Sequence, residues 1–360
     1  MRGHRLSLSS TRLIRSFNAI SVLQTLYKEE SATRARLTEV TKMSPATITR
    51  IITELTEQGV IAEERIGESN GGRRPVIFRL NNDKLYVAGV QILRDRVALA
   101  ISDIRGRLVI RKIFQQYSLE PDSLINEIAN EFEMMLASSQ VDKEYILGVG
   151  LAISGIVDSE NGVLLRSVNL GWHEVRVAEL VEKALGLQVF VENDANAAAL
   201  AEIWLGAAKD VSSMMYLKTA SGVGAGIIYE RRLLTGARGM AGEIGHIPLI
   251  PGGHQCRCGQ QGCLETYLYL PDVIHRYEQA HEESLETPDQ LFNKAASGEP
   301  LARTIVEEAV YALATTISFA EVFLDLEMIV IGGVWGGLGD DFMNQIQDRL
   351  QIYLERGGLS

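Results

Sequence analysis

Three thiols and an imidazole are the most chemically committed residues of this sequence. Cys256, Cys258 and Cys263 are the only cysteines in 360 residues, spaced C-x-C-x4-C, with His246 upstream. An odd, clustered set argues against disulfides and for metal. Four soft or borderline ligands make the tetrahedral complement of a structural zinc, with no open position for catalysis. Gly259 and Gly262 allow the tight turns between ligands. On spacing alone His254 competes with His246 as the fourth ligand.

A second set is suited to nucleic acid. In Pro45–Gln58 the residues Ile48, Ile51, Ile52 and Leu55 share one helical face, leaving Thr47, Thr49, Arg50 and Thr53 mostly on the other. Short polar side chains and one arginine fit a major groove and its base edges. Ser44 is placed to cap the first turn and Pro45 suits the first helical position, which needs no N–H donor. A shorter helix, Arg34–Thr41, precedes this one, and Leu13–Tyr27 has helical apolar spacing before it. Gly59 stops the second helix before the first wing strand at Val60-Ile61. Gly71-Gly72-Arg73-Arg74-Pro75 forms the tip of a two-stranded wing, with two arginines for a narrow minor groove. The order is similar to the winged helix-turn-helix of bacterial repressors. Ser44, Thr47, Thr49, Arg50, Arg73 and Arg74 are the expected DNA-binding residues.

The charge distribution agrees. Residues 1–80 hold 13 Lys+Arg and 8 Asp+Glu, whereas the rest hold 22 and 38. A basic head on an acidic body points to a polyanion partner for the head. No apolar run approaches the ~18–20 residues of a membrane span, and the basic N-terminus lacks a signal-peptide apolar region. The expected location is cytoplasmic, without membrane partners.

The body must position the thiols. A boundary falls near Leu80–Asp83. Strands are expected at Tyr86–Ile92, Val97–Ser102 and Leu108–Gln116, with a hairpin turn at Asp103–Arg107. A helix over Pro121–Ser138 leads to a buried strand at Ile146–Ile153. Further strands at Val189–Val191, Met214–Leu217 and Met328–Ile331 each exit into a turn, the last two rich in glycine. This is an α/β pattern, and glycines after buried strands let backbone approach a ligand, here in a cleft between lobes.

Together these segments resemble the ROK family (repressors, open reading frames and sugar kinases) over nearly the whole chain. The most specific match is GExGH followed by CxCGxxGCxE, here Gly242–His246 and Cys256–Glu265. Glu192–Asn196 matches the family's ENDxN, and Val168–Trp172 its NLxGW-type segment beside the sugar site. The resemblance implies an actin-like (ribonuclease H-like) two-lobed ATPase fold behind the winged helix-turn-helix. It implies that Asn169, Asn193, Asp194, Glu243, His246 and Glu265 line a sugar pocket. It assigns zinc to His246, Cys256, Cys258 and Cys263, with the two nitrogens of His246 serving metal and sugar. Carboxylates and asparagines suit the many donor-acceptor hydroxyls of a sugar.

In the family's kinases the residue at Asp194 is the base on the sugar hydroxyl. Phosphoryl transfer also needs a DxGGT turn after the first strand, to cradle phosphate and metal. Here that turn is Gln91-Ile92-Leu93-Arg94-Asp95, without the carboxylate or the two glycines. The later segment Ala220–Gly226 resembles the family's GTGxGxG, and Ile331–Val334 its adenosine-side turn. One half of a phosphate clamp does not make a kinase, and the expected catalytic set is empty.

The sequence therefore describes a repressor of carbohydrate-utilisation genes. Residues 1–80 are the DNA-binding domain and 81–360 the sugar sensor. The sensor comprises a first lobe 81–195, a second lobe 196–325 with knuckle 246–263, and a return segment 326–360. The expected partners are a palindromic double-stranded operator, a monosaccharide of xylose or glucose type, and a second copy in a homodimer or a tetramer. Sugar closes the cleft and turns the heads out of register. Two alternatives remain: an active sugar kinase with a DNA-binding head, and a repressor released by a sugar-transport protein. The chain stops at Ser360 after a helix-like 341–353. Family members continue there with a strand and a closing helix, so the end is either truncated or differently finished.

Overall fold

The computed structural model describes residues 10–65, 76–220, 222–281, 283–285 and 287–357. By internal packing the chain divides into two bodies. One holds Met1–Ala88, Ile101–Ile110 and Leu136–Leu147; the other holds Gly89–Ala100, Arg111–Met135 and Gly148–Ser360.

The N-terminal elements are α1 (Ser10–Glu29), β1 (Ser31–Thr33), α2 (Arg34–Thr41), α3 (Pro45–Glu57), β2 (Ile61–Arg65) and β3 (Val76–Leu80). Helix α3 starts where its signals lie: the Ser44 hydroxyl accepts from the Thr47 amide at 3.2 Å, and Pro45 opens the helix. Its apolar face, Ile48, Ile51, Ile52 and Leu55, is buried with Leu26 of α1, Leu37 of α2 and Phe78 of β3. Burying each such side chain contributes roughly 1.5–3 kcal/mol, which fixes α3 with its polar face outward.

The sheet here has three strands, in the order β1-β3-β2, where the sequence suggests a two-stranded wing. The added strand is Ser31–Thr33, with Ala32 opposite Phe78. Three residues are too few to show an alternating pattern, and Thr33 also caps α2 by accepting from the Arg36 amide. The wing tip, with Arg73 and Arg74, lies outside the described residues.

The following elements are β4 (Tyr86–Ile92), β5 (Val97–Asp103), β6 (Leu108–Phe114), α4 (Pro121–Ser139), β7 (Ile146–Ile153), β8 (Ile156–Asp158), β9 (Val163–Ser167), β10 (Trp172–Val175), α5 (Val177–Leu185) and β11 (Val189–Asn193). Five strands form a sheet in the order β11-β7-β4-β5-β6, and β8, β9 and β10 form a small meander. The β5–β6 turn belongs to the first body. Ile104 and Leu85 join the core under α3. Arg105 donates to the carbonyls of Tyr27 and Leu26 in the last turn of α1, at 3.2 and 3.4 Å, and stacks over the Tyr27 ring. Asp103 is buried and holds this turn by accepting from the Arg105 and Arg107 amides and from the Arg107 guanidinium. Burial alone would raise its carboxyl; those hydrogen bonds outweigh burial and hold it below the usual range.

The rest of the chain is α6 (Asp194–Leu205), β12 (Met214–Thr219), β13 (Val223–Tyr229), β14 (Arg232–Leu233), α7 (Glu265–Leu268), α8 (Leu270–His281), α9 (Pro288–Ala296), α10 (Pro300–Leu324), β15 (Met328–Gly333) and α11 (Asp340–Gly357). The four-stranded sheet runs β14-β13-β12-β15, with β12 and β15 parallel. Phe342 and Ile346 of α11 share a core with α7, α8, α9 and α10. The expected phosphate segment 220–226 is largely strand. Gly226 lies in β13 against α6, where a Cβ would stand 2.4 Å from the Ala195 carbonyl oxygen. That glycine is required by helix-on-sheet packing.

Candidate functional site

Four segments of the second body converge. Strand β11 runs into α6, so Asn193 and Asp194 stand at the strand's end and at the helix N-terminus. The Asn193 side chain caps the helix: its Oδ1 accepts from the Ala195 and Asn196 amides, and its Nδ2 donates to the Gly155 carbonyl. One Nδ2 proton is left for a ligand. Asp194 is buried and ion-paired to Lys218 of β12.

The Gly242–His246 segment lies flat on β13. Gly242 has φ +88, and a Cβ there would stand 1.9 Å from the Ala225 oxygen; its own carbonyl accepts from the Ala225 amide at 2.8 Å. This contact brings Glu243 and His246 into the neighbourhood of α6. Burial pushes the Glu243 carboxyl above its ordinary value. His246 opposes that shift, Asp194 and Glu265 add to it, and Lys218 opposes it. Asn169, in the turn before β10, donates to the Ser154 hydroxyl at 3.2 Å. A Cβ on Gly222 would stand 3.5 Å from Glu265 Oε1 and 3.9 Å from Asn169 Nδ2. Gly222 thus places those two side chains on one side of the β12–β13 turn.

Glu265 opens α7 directly after the thiol loop. Its carboxylate lies 3.8 Å from His246 Nδ1 and 3.8 Å from Arg257. His246, Cys256, Cys258 and Cys263 bring their ligand atoms within 4.8 Å of one another. His246 Nδ1 is 3.9 Å from Cys256 Sγ, and Cys258 Sγ is 3.7 Å from Cys263 Sγ. A tetrahedral zinc with ordinary Zn–S and Zn–N bonds has ligand–ligand edges of about 3.5–3.8 Å, so the donor set fits. Backbone bonds tie the loop: Cys256 N–H to Gln260 at 2.8 Å, and Gly262 N–H to His254 at 2.8 Å. The alternative ligand, His254, turns instead to Arg276 and Glu308. Burial pushes Cys256 up and Cys263 up to about 12, whereas the Gln260 amide pulls Cys258 down.

On α3, the helix expected to read DNA, Thr49 and Arg50 are exposed and Thr47 is half-buried. Thr49 spends its hydroxyl proton on the Pro45 carbonyl, and Ser44 shares its oxygen with Thr47 at 2.9 Å. Sequence reasoning missed Lys218 and Ser154. The signal for Lys218 was a lone charge in the buried run Met214–Thr219.

Residues 87–358 match the model of the ROK family, and residues 18–62 match winged helix-turn-helix DNA-binding. The chain belongs to the ROK family. This ROK protein is 28% identical over 353 residues to the xylose repressor of Caldicellulosiruptor bescii, covering 93% of this chain and 88% of the relative. It superposes with a TM-score of 0.80, at 28% identity, on a crystal structure of a ROK family transcriptional regulator, a homolog of the E. coli MLC protein. That match covers 95% of this chain and 87% of the other. It is also similar to a ROK glucokinase from Streptomyces griseus in complex with glucose and AMPPNP, with a TM-score of 0.62, 25% identity, and 75% and 89% coverage. The ROK protein is thus a DNA-binding transcriptional regulator with a sugar-kinase-like body and a His/Cys cluster able to coordinate a metal. No helix among the described residues is long and apolar enough to cross a membrane.

Proposed function

We propose that the protein represses sugar-utilisation genes and is released from its operator by a sugar that its body binds and does not phosphorylate. One observation carries this reading: Asn169, Asp194, Glu243, His246 and Glu265 converge in a chain whose N-terminal helices form a DNA-reading unit. Xylose is the first sugar to test, after the name of the C. bescii relative.

Residues 1–80 read DNA, through Ser44 at the cap of α3, Thr47, Thr49 and Arg50 on it, and Arg73 and Arg74 from the segment between β2 and β3. Residues 81–360 sense sugar, with 81–195 as one lobe and 196–325 as the other; 326–360, expected to return to the first lobe, adds β15 beside β12 and packs α11 on α10. Two copies meet a palindrome. In the pocket the carboxylates and the asparagines take the hydroxyls, and Nε2 of His246 takes one more. A zinc ion held by His246, Cys256, Cys258 and Cys263 would supply a fixed charge and a tied loop that orient His246 and Glu265. Sugar lowers DNA affinity to the extent that it prefers the released state.

The turn after β4 supports a body without kinase activity. By the family resemblance, Gln91 takes the place of the metal-holding carboxylate. The Leu93 amide is spent on the Arg96 carbonyl at 3.0 Å, and the Gln116 side chain holds the Leu93 and Arg94 carbonyls. An amide committed in this way does not cradle phosphate.

The test is fluorescence anisotropy of labelled DNA from the gene's own upstream region, at fixed salt, with a panel of sugars beginning with D-xylose and D-glucose. Release by one sugar, with no ADP formed from MgATP, is expected. Tight binding that no sugar disturbs would overturn sugar release and point to a protein partner. ADP formation would restore the kinase alternative.

A further inference from the structure

We propose that Lys218 is a positioning residue of the sugar site, holding Asp194 as a fixed hydrogen-bond acceptor in place of the free base that a kinase needs. This rests on the sugar-sensor reading above. Lys218 lies one residue from the end of β12, and its side chain is only 11% exposed. Its ammonium contacts Oδ2 of Asp194, whose side chain is 4% exposed. Its neighbours across the sheet are glycines on both sides, Gly224 on β13 and Gly332 on β15, with the Tyr216 ring lying over Gly332.

A buried lysine is rare unless paired, and a pair broken on one side leaves an uncompensated charge. Lys218 is not the only group that favours the Asp194 carboxylate. Asp194 is the first residue of α6, where helix amides already favour a carboxylate. The site gives the ammonium a further role, because Glu243 and Glu265 bring more negative charge to the same region. The ammonium offsets one of three carboxylates and fixes the rotamer of Asp194. One oxygen is taken by the lysine, leaving Oδ1 to accept from a sugar hydroxyl. Held on one oxygen by the buried ammonium, Asp194 is a committed acceptor for the hydroxyl. Lys218 therefore favours binding over base chemistry at the one carboxylate the family's kinases use for it.

The experiment measures D-xylose and D-glucose binding to the full-length protein by calorimetry. It compares wild type with Lys218→Met, Lys218→Arg, Asp194→Asn and the Lys218→Met/Asp194→Asn pair, and thermal unfolding is recorded for each. Lys218→Met is expected to weaken binding at least tenfold and Lys218→Arg to recover most of it. The double variant is expected to bind within threefold of Asp194→Asn alone, because the lysine acts through the aspartate. A double variant losing the product of the two single effects would overturn the proposal. So would Lys218→Met binding within threefold of wild type. If wild type binds neither sugar, the sensor reading fails for these sugars and the pair is judged on unfolding. Asp194→Asn restoring the midpoint lost in Lys218→Met supports the coupling, and additive losses overturn it.

Discussion

Acidification should strip metal from the thiol cluster with a steep and calculable dependence. Metal binds thiolates, so every thiol protonated beforehand costs one proton per ion bound. Burial holds Cys256 above its ordinary value and Cys263 at about 12, so both carry protons throughout pH 6–8. Metal affinity therefore rises with pH by about two powers of ten per unit, and Cys258, pulled down by the Gln260 amide, adds up to one more. Between pH 8 and pH 6 the loss is roughly four powers of ten, or about 5.5 kcal/mol. That is a large part of the ~10–16 kcal/mol a structural zinc supplies near neutrality. Competition against a chromophoric chelator at fixed ionic strength measures the slope, and Cys263→Ser should remove about one unit of it. Glu265 follows Cys263 by two residues, so metal removal should also weaken sugar binding roughly 10–100-fold. A pH-independent affinity, or a slope untouched by Cys263→Ser, would refute the argument.

Three further outcomes are expected. Arg105→Ala removes two hydrogen bonds to the end of α1 and a favourable charge at its C-terminus; it should cost roughly 1–3 kcal/mol in urea unfolding. Asp103→Asn should destabilise at pH 7 and by progressively less as pH falls below about 4. A carboxyl held low contributes fully above about pH 4–5, and the contribution is lost as pH falls through its lowered value. Ser44→Ala should cost about 1 kcal/mol of stability through the lost cap, whereas Arg50→Ala should leave the melting curve unchanged and weaken operator binding by ~1–3 kcal/mol with relaxed sequence preference.

The local structure was legible wherever a signal lay within a few residues. Helix α2 and the start of α3 follow from a cap, a proline and one apolar face, and β4 and β7 have the bounds their apolar runs suggest. The thiol spacing alone pointed to the cluster and left His246 and His254 as rivals; the family resemblance chose His246, and the fold sets His246 beside the thiols while His254 turns to Arg276. The sugar set was readable only as a family motif. Nothing in the spacing of Asn169, Asp194, Glu243 and Glu265 says that four segments meet. Asn193 is a helix cap as well as a motif residue, which depends on where β11 ends. Strand β1 and the β8–β10 meander escaped notice because short strands carry little periodicity. The Lys218–Asp194 pair was hidden because it depends on how α6 lies against β12.

The packing under α3 also bears on how such regulators could exchange their operators. Its core is closed by Leu85 and Ile104, which lie in sequence beyond the DNA-reading segment, and α1 is capped by Arg105. A gene fusion joined at residue 80 would carry the reading helix to a new host but leave those closing pieces behind. The transplanted unit would have a hole at the floor of its core, unless the recipient's own hairpin offered an apolar residue and an arginine at matching places. On the proposed reading of α3, operator specificity is therefore inherited together with a hairpin over a hundred residues into the sequence, and drift in that hairpin is drift in the reader.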